Sequence, residues 1–244
     1  GPATAQVFVW DRDQADPFEA VKLVSKRVDD LPTMEGASQP TLSRDGRVVA
    51  FVSSDVGLAP AVFPPCAEGC PSQVYHLDRD VDLNGRYDES ARTAVTLVSS
   101  EPGTAPVVAG TAPSSQPSLS ADGQLVAFIT KATNLQLVRA AGGGAADDGD
   151  LLVADVASNT LRRVTMTDGG VEPAVGSHSA PQLSDTGRTV VFETLAASQL
   201  VAETLPGRQV VAITTPPTLQ LAQGDLGTTL VGFSSDEWYV AVNN

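Results

Sequence analysis

The sequence predicts an all-β chain, on three observations. One block of residues recurs along it: SQPTLSRDGRVVAFVS at 38–53, SQPSLSADGQLVAFIT at 115–130 and SAPQLSDTGRTVVFET at 179–194. Asp-Gly pairs sit at 45–46 and 122–123, where Gly accepts positive φ and Asp tolerates it, a hairpin signal. The residues after each pair, 48–52 and 125–129, are continuously apolar, as in strands covered on both faces.

Each block reads as strand, tight turn, strand. The first strand is short and begins after Pro40, Pro117 or Pro181. A second hairpin follows each block. Its strands are 73–78 with 94–99, then 150–155 with 161–165, and more weakly 209–213 with 218–222. Four strands per repeat is the make-up of a propeller blade. The chain opens on a lone second hairpin, 6–11 with 20–25, and ends on a degraded fourth block, FSSDEWYVAVNN at 233–244, which keeps Asp236 but has Glu237 in place of the Gly.

The fold class expected is therefore a β-propeller of four-stranded antiparallel blades. A single domain over 1–244 is expected, with half-blades at 6–26 and 226–244 and blades at about 38–99, 115–165 and 179–222. Pairing of the two terminal hairpins in one sheet would close four blades; the alternative is a fragment of a larger propeller.

The Ser-x-Asp-Gly-x-x-Val-Ala-Phe pattern resembles the TolB-like repeats of WD-like propellers, in three good copies and one poor one. The resemblance implies the fold and says little about activity, because its members include periplasmic scaffolds, peptidase propeller domains and carbohydrate-active lyases. No catalytic motif of those enzymes is visible to carry over.

Composition narrows the function classes. The net charge is −14, from 29 acidic and 15 basic residues, which disfavours nucleic acid and anionic membranes. No apolar run reaches the roughly 20 residues of a membrane helix. No signal peptide is visible at the start, as in a mature chain. The two cysteines, Cys66 and Cys70, stand in a Pro-flanked CAEGC segment with no second pair to complete a metal site. A small disulfide is expected, in an oxidising compartment: secreted, periplasmic or cell surface.

One segment carries a cofactor expectation. Asp78, Asp80, Asp82, Asn84 and Asp88 place side-chain oxygens around Gly85, and the carbonyl of Arg86 is the next available donor. Alternating oxygens followed by Gly open a calcium loop of the EF-hand type. Ala91 stands where that loop closes on Glu, so a helix-free calcium loop that orders a hairpin tip is the expectation, against a metal-free acidic turn. Asp11, Asp13 and Asp16, and the cluster 147–150, are weaker candidates. His178, in a connection entering an inner strand, is a ligand-face candidate. His76 reads as a packed strand residue.

The function expected is a noncatalytic, extracellular, calcium-stabilised binding or scaffold module for a protein or glycan, using the face that carries the Cys pair and the long connections. The alternatives are a carbohydrate-active lyase or hydrolase with a central-channel site, and a structural subunit that self-associates through terminal strands.

Overall fold

The computed structural model describes residues 4–16, 19–66, 69–135, 149–164, 176–197, 206–214, 219–223, 229–233 and 240–243. Its regular elements are strands, apart from one 3-10 turn at Thr133–Leu135. A short hairpin, β1 (Phe8–Trp10) with β2 (Val21–Leu23), precedes three antiparallel four-stranded sheets. The first sheet is β3 (Ala37–Leu42), β4 (Val48–Ser53), β5 (Gln73–Asp78) and β6 (Ala94–Leu97). The second is β7 (Ser114–Leu119), β8 (Leu125–Thr130), β9 (Asp150–Asp155) and β10 (Thr160–Arg163). The third is β11 (Gly176–Leu183), β12 (Thr189–Ala197), β13 (Pro206–Thr214) and β14 (Leu219–Gln223). A second lone hairpin, β15 (Thr229–Phe233) with β16 (Val240–Asn243), ends the chain.

In each four-stranded sheet the spatial order is the chain order, the up-and-down meander of a propeller blade. The terminal hairpins differ from the expected shared blade. They are separate two-stranded sheets with no ladder between them among the described residues. β1 and β2 are three residues each, and Phe8 and Trp10 are exposed on them.

Along the second strand of each of the first two sheets, successive side chains alternate between two neighbours. Along β4, Val48, Ala50 and Val52 join Val126, Phe128 and Leu152 of the second sheet. The intervening Val49 and Phe51 face the other way, against Val7 and Val24 beside the first hairpin. β8 repeats this, with Val126 and Phe128 toward the first sheet and Ala127 and Ile129 toward Val190 and Phe192. Every residue of β4 is buried, which explains its apolar run. Burying each such Phe or Val contributes roughly 1.5–3 kcal/mol.

The Ser-x-Asp-Gly motif builds the turns. Ser43 Oγ donates to Asp45 Oδ1 at 2.7 Å and accepts from Val48 N at 2.8 Å, while Asp45 Oδ1 also accepts from Arg47 N. Ser120, Asp122 and the N–H groups of Leu125 and Gln124 repeat the pattern. The turn glycines take φ +78 at Gly46, +72 at Gly123 and +68 at Gly187. At Gly123 a Cβ would lie 2.6 Å from the Val48 side chain, so the neighbouring blade also demands glycine.

Candidate functional site

Two faces flank the sheets. In an up-and-down meander the connections β2–β3, β4–β5, β6–β7 and β8–β9 emerge together, and the hairpin turns emerge opposite. The connecting face is bonded to itself. Val62 forms a parallel bridge with Val108, with Val62 N donating to Val107 O at 2.8 Å and Ala109 N to Val62 O at 2.9 Å. Asn134 accepts from Thr111 N at 2.9 Å and donates to Glu101 Oε1 at 2.8 Å and Ala109 O at 3.0 Å. Gln73 Nε2 donates to Gly110 O at 2.9 Å. Cys66 and Cys70 are joined by a disulfide, their Cα atoms 4.7 Å apart, in the β4–β5 connection of the same platform. The expected long connection 195–208 is shorter, because β12 runs to Ala197 and β13 starts at Pro206.

The candidate calcium loop joins β5 to β6 on the opposite face. Its oxygens have protein donors. Asp78 Oδ1 accepts from Arg47 Nε at 2.8 Å and from Asp80 N at 3.0 Å. The buried Asp80 carboxylate accepts from Asn84 N at 3.0 Å and Gly85 N at 2.9 Å. Asp82 Oδ2 lies 3.3 Å from Asn84 Nδ2 and 3.5 Å from Arg92 Nε. Asn84 Oδ1 accepts from Arg86 N at 2.7 Å. Asp88 Oδ1 accepts from Arg79 Nε at 3.0 Å, and Arg79 Nη1 donates to Gly46 O at 2.6 Å, which locks the tip onto the β3–β4 turn. The Arg79 guanidinium also lies 5.0 Å over the Tyr87 ring. Among the described residues no three acidic, His or Cys side chains are grouped as metal ligands. Burial works to raise the Asp78 carboxyl, and its bonds to Arg47 and the backbone outweigh that and hold it below the usual value.

The remaining candidates are spread out. Asp11 Oδ1 caps Asp13 N at 2.9 Å, and the carbonyl of Asp16 accepts from Ala20 N, so that acidic tip is a capped turn. Asp147 and Asp148 lie outside the described residues, and Asp150 pairs with Arg163. His178 lies within β11, opposite Thr194, rather than in a connection before it. His76 is buried, and its Nε2–H donates to Gly123 O of the next blade at 2.9 Å. Burial is the chief reason its pKa falls below the ordinary 6.5.

Sequence reasoning missed the inner-strand bulges. Gln39, Gln116 and Ala180 take φ +52, +56 and +49 where the strand registers shift. Gln39 Oε1 accepts from Gln116 N, and Gln116 Oε1 from Ala180 N, both at 2.6 Å. The recurring Ser-Gln-Pro at the strand start was the available signal.

No protein-family model matches the chain, and no curated protein matches it. Solved structures similar to it are propeller proteins. The propeller domain of the Trilobed protease from Pyrococcus furiosus is 9% identical, with TM-score 0.44 over 80% of this chain and 44% of that one. A putative TolB from Agrobacterium tumefaciens is 13% identical, with TM-score 0.48 over 92% and 64%. A prolyl endopeptidase is 18% identical, with TM-score 0.44 over 84% and 25%. The chain thus spans less than two thirds of each of these proteins.

Proposed function

We propose that this chain is a noncatalytic binding or scaffold module for a protein partner, working in a secreted, periplasmic or cell-surface setting. The observation that carries this reading is the connecting face. Its loops are not independent: Val62, Gln73, Val108 and Asn134 bond them into one ordered platform on stacked sheets. Loops held on a rigid scaffold are where recognition concentrates, and preordering lowers the entropy cost of binding. The disulfide in that platform suits an oxidising compartment.

The test is capture of extracytoplasmic proteins from the source cell on the immobilised chain, with cross-linking, against an Asn134→Ala variant that unties the platform and an Arg86→Ala variant on the opposite face. Retention of a defined protein by the Arg86 variant and its loss from the Asn134 variant is the expected result. Equal capture by both, or turnover of peptide or polysaccharide substrates, would count against the reading.

Calcium binding by the 78–88 loop is the second part of this proposal. Its support is the spacing of Asp80, Asp82 and Asn84 before Gly85, with oxygen donors of the kind calcium takes. Binding would exchange guanidinium and amide partners of these oxygens for the ion. Thermal unfolding with calcium and then with excess chelator tests it: stabilisation that disappears in Asp82→Ala supports the site. An unchanged midpoint leaves the loop as an arginine-locked turn.

A further inference from the structure

The β2–β3 connection makes an ordered excursion. Lys26 and Pro32 form an antiparallel bridge, Arg27 N donates to Leu31 O at 2.8 Å and Asp30 N to Arg27 O at 2.9 Å. Val28 N donates to Gly57 O at 2.9 Å, which ties the excursion to the β4–β5 connection. Met34 N donates to the buried Asp55 carboxylate at 2.6 Å, and the same carboxylate holds Gly57 N at 2.7 Å.

This fixed backbone displays apolar side chains to water. Val28 is 72% exposed, Met34 68%, Leu31 57% and the nearby Val56 46%. None belongs to the core cluster beneath them. Beside them Arg27 is held in place, its Nη1 2.9 Å from Met34 Sδ and its Nε 3.7 Å from Asp55 and 4.0 Å from Asp29. Exposed Asp29, Asp30 and Glu35 lie along the same excursion. A connection that only crossed between blades would gain nothing from these side chains, whereas an ordered apolar patch with a polar rim is the make-up of a recognition surface.

We infer that this patch docks a protein segment with an apolar centre and a Lys- or Arg-bearing rim. The carboxylates beside the patch and the chain's net charge of −14 attract such a rim. The same charge opposes docking of a second copy. The inference rests on the binding-module reading and assigns that reading a location and a partner chemistry.

The probe is a library of short random peptides displayed on phage and selected on the whole chain. Selected peptides are expected to combine apolar residues with Lys or Arg and to release as salt rises. They should bind a Val28→Ser, Leu31→Ser, Met34→Ser variant at least about tenfold more weakly, since the triple change removes the apolar area that such peptides would cover. An unchanged circular dichroism spectrum reports that the variant is folded. Should it fail to fold, Asp29→Asn with Asp30→Asn reads the rim alone through a reduced salt dependence. Selection without basic residues, equal affinity for the triple variant, or an unaltered salt dependence in the Asn variant overturns the inference. Sedimentation showing a dimer that the triple variant loses assigns the patch to a second copy and overturns it too. A natural partner held equally by the triple variant also overturns it and leaves the module reading standing. Failure to capture any natural partner, with peptides behaving as expected, sinks the module reading and leaves the patch.

Discussion

The side-chain carbonyl of Gln39 accepts the backbone N–H of Gln116 at 2.6 Å, across two neighbouring blades. Both residues hold positive φ immediately before a proline, where the right-handed helical region is disfavoured. A left-handed non-glycine residue costs roughly 1–2 kcal/mol, and the bond between blades offsets part of that.

Substitution at Gln116 separates strain from clasp. Gln116→Ala keeps the strained backbone and deprives Ala180 N of its acceptor, so a loss of about 1–3 kcal/mol is expected. Gln116→Gly loses the same acceptor and relaxes the backbone, so it should be the milder change. Urea unfolding of the two variants checks the order, and a more destabilised glycine variant would refute the account.

Phe128 is fully buried in the interface between the first and second sheets. Phe128→Ala should cost about 3–5 kcal/mol, in the range of emptied aromatic core sites. Protection of the β4 amides in hydrogen exchange should fall along with that of β8. Loss confined to β8 would show that the sheets open independently.

Gly123 combines positive φ with an inter-blade contact, whereas among the described residues a Cβ at Gly46 would meet only Tyr87, at 4.0 Å. Gly123→Ala must therefore displace Val48, and Gly46→Ala carries conformational strain alone. Gly123→Ala is expected to be the more destabilising of the two by more than about 1 kcal/mol, the lower end of overpacking costs. Chemical denaturation of both variants decides it.

The buried His76 gives the fold a pH dependence. Its pKa is depressed in the folded chain, chiefly by burial; the Gly123 carbonyl and Asp78 pull it up, and Arg47 adds to the depression. Among the described residues its buried Nδ1 has no hydrogen-bond partner. The unfolded chain thus binds the proton more readily, and stability is expected to fall as pH drops below about 6.5. Comparing unfolding midpoints at neutral pH and near pH 5, His76→Gln should flatten this slope. The carboxyls of Asp45 and Asp78, also held low, act below that window. An equal slope in wild type and variant would reject the histidine as its cause.

The sequence carried the parts of this fold that local chemistry determines. Asp45-Gly46 and Asp122-Gly123 specify their turns because the partners, Ser43 and Ser120, lie two residues before each Asp. The apolar run at 48–52 specifies a doubly covered strand. The Gln39 clasp was hidden because its partner lies 77 residues away and residue type does not announce positive φ. The loop at 78–88 shows the same divide. Its Asp and Asn spacing is visible, but Arg47, which occupies Asp78, comes from the previous hairpin. The terminal hairpins matched as complementary halves of a repeat, yet each forms its own two-stranded sheet, the first from three-residue strands with Phe8 and Trp10 exposed. A fourth block without its turn glycine lacks the residue that sets the other three hairpins.

Odd and even residues of β4 belong to different neighbours, and β8 shares itself in the same way. Each of these strands ties its sheet to both neighbours, so deletion of one repeat would bring together two faces that do not meet in this fold. An inserted or duplicated repeat would be tolerated only where its flanks reproduce both faces. The length of this molecule can change in whole, matched steps, and its repeats cannot be exchanged at will.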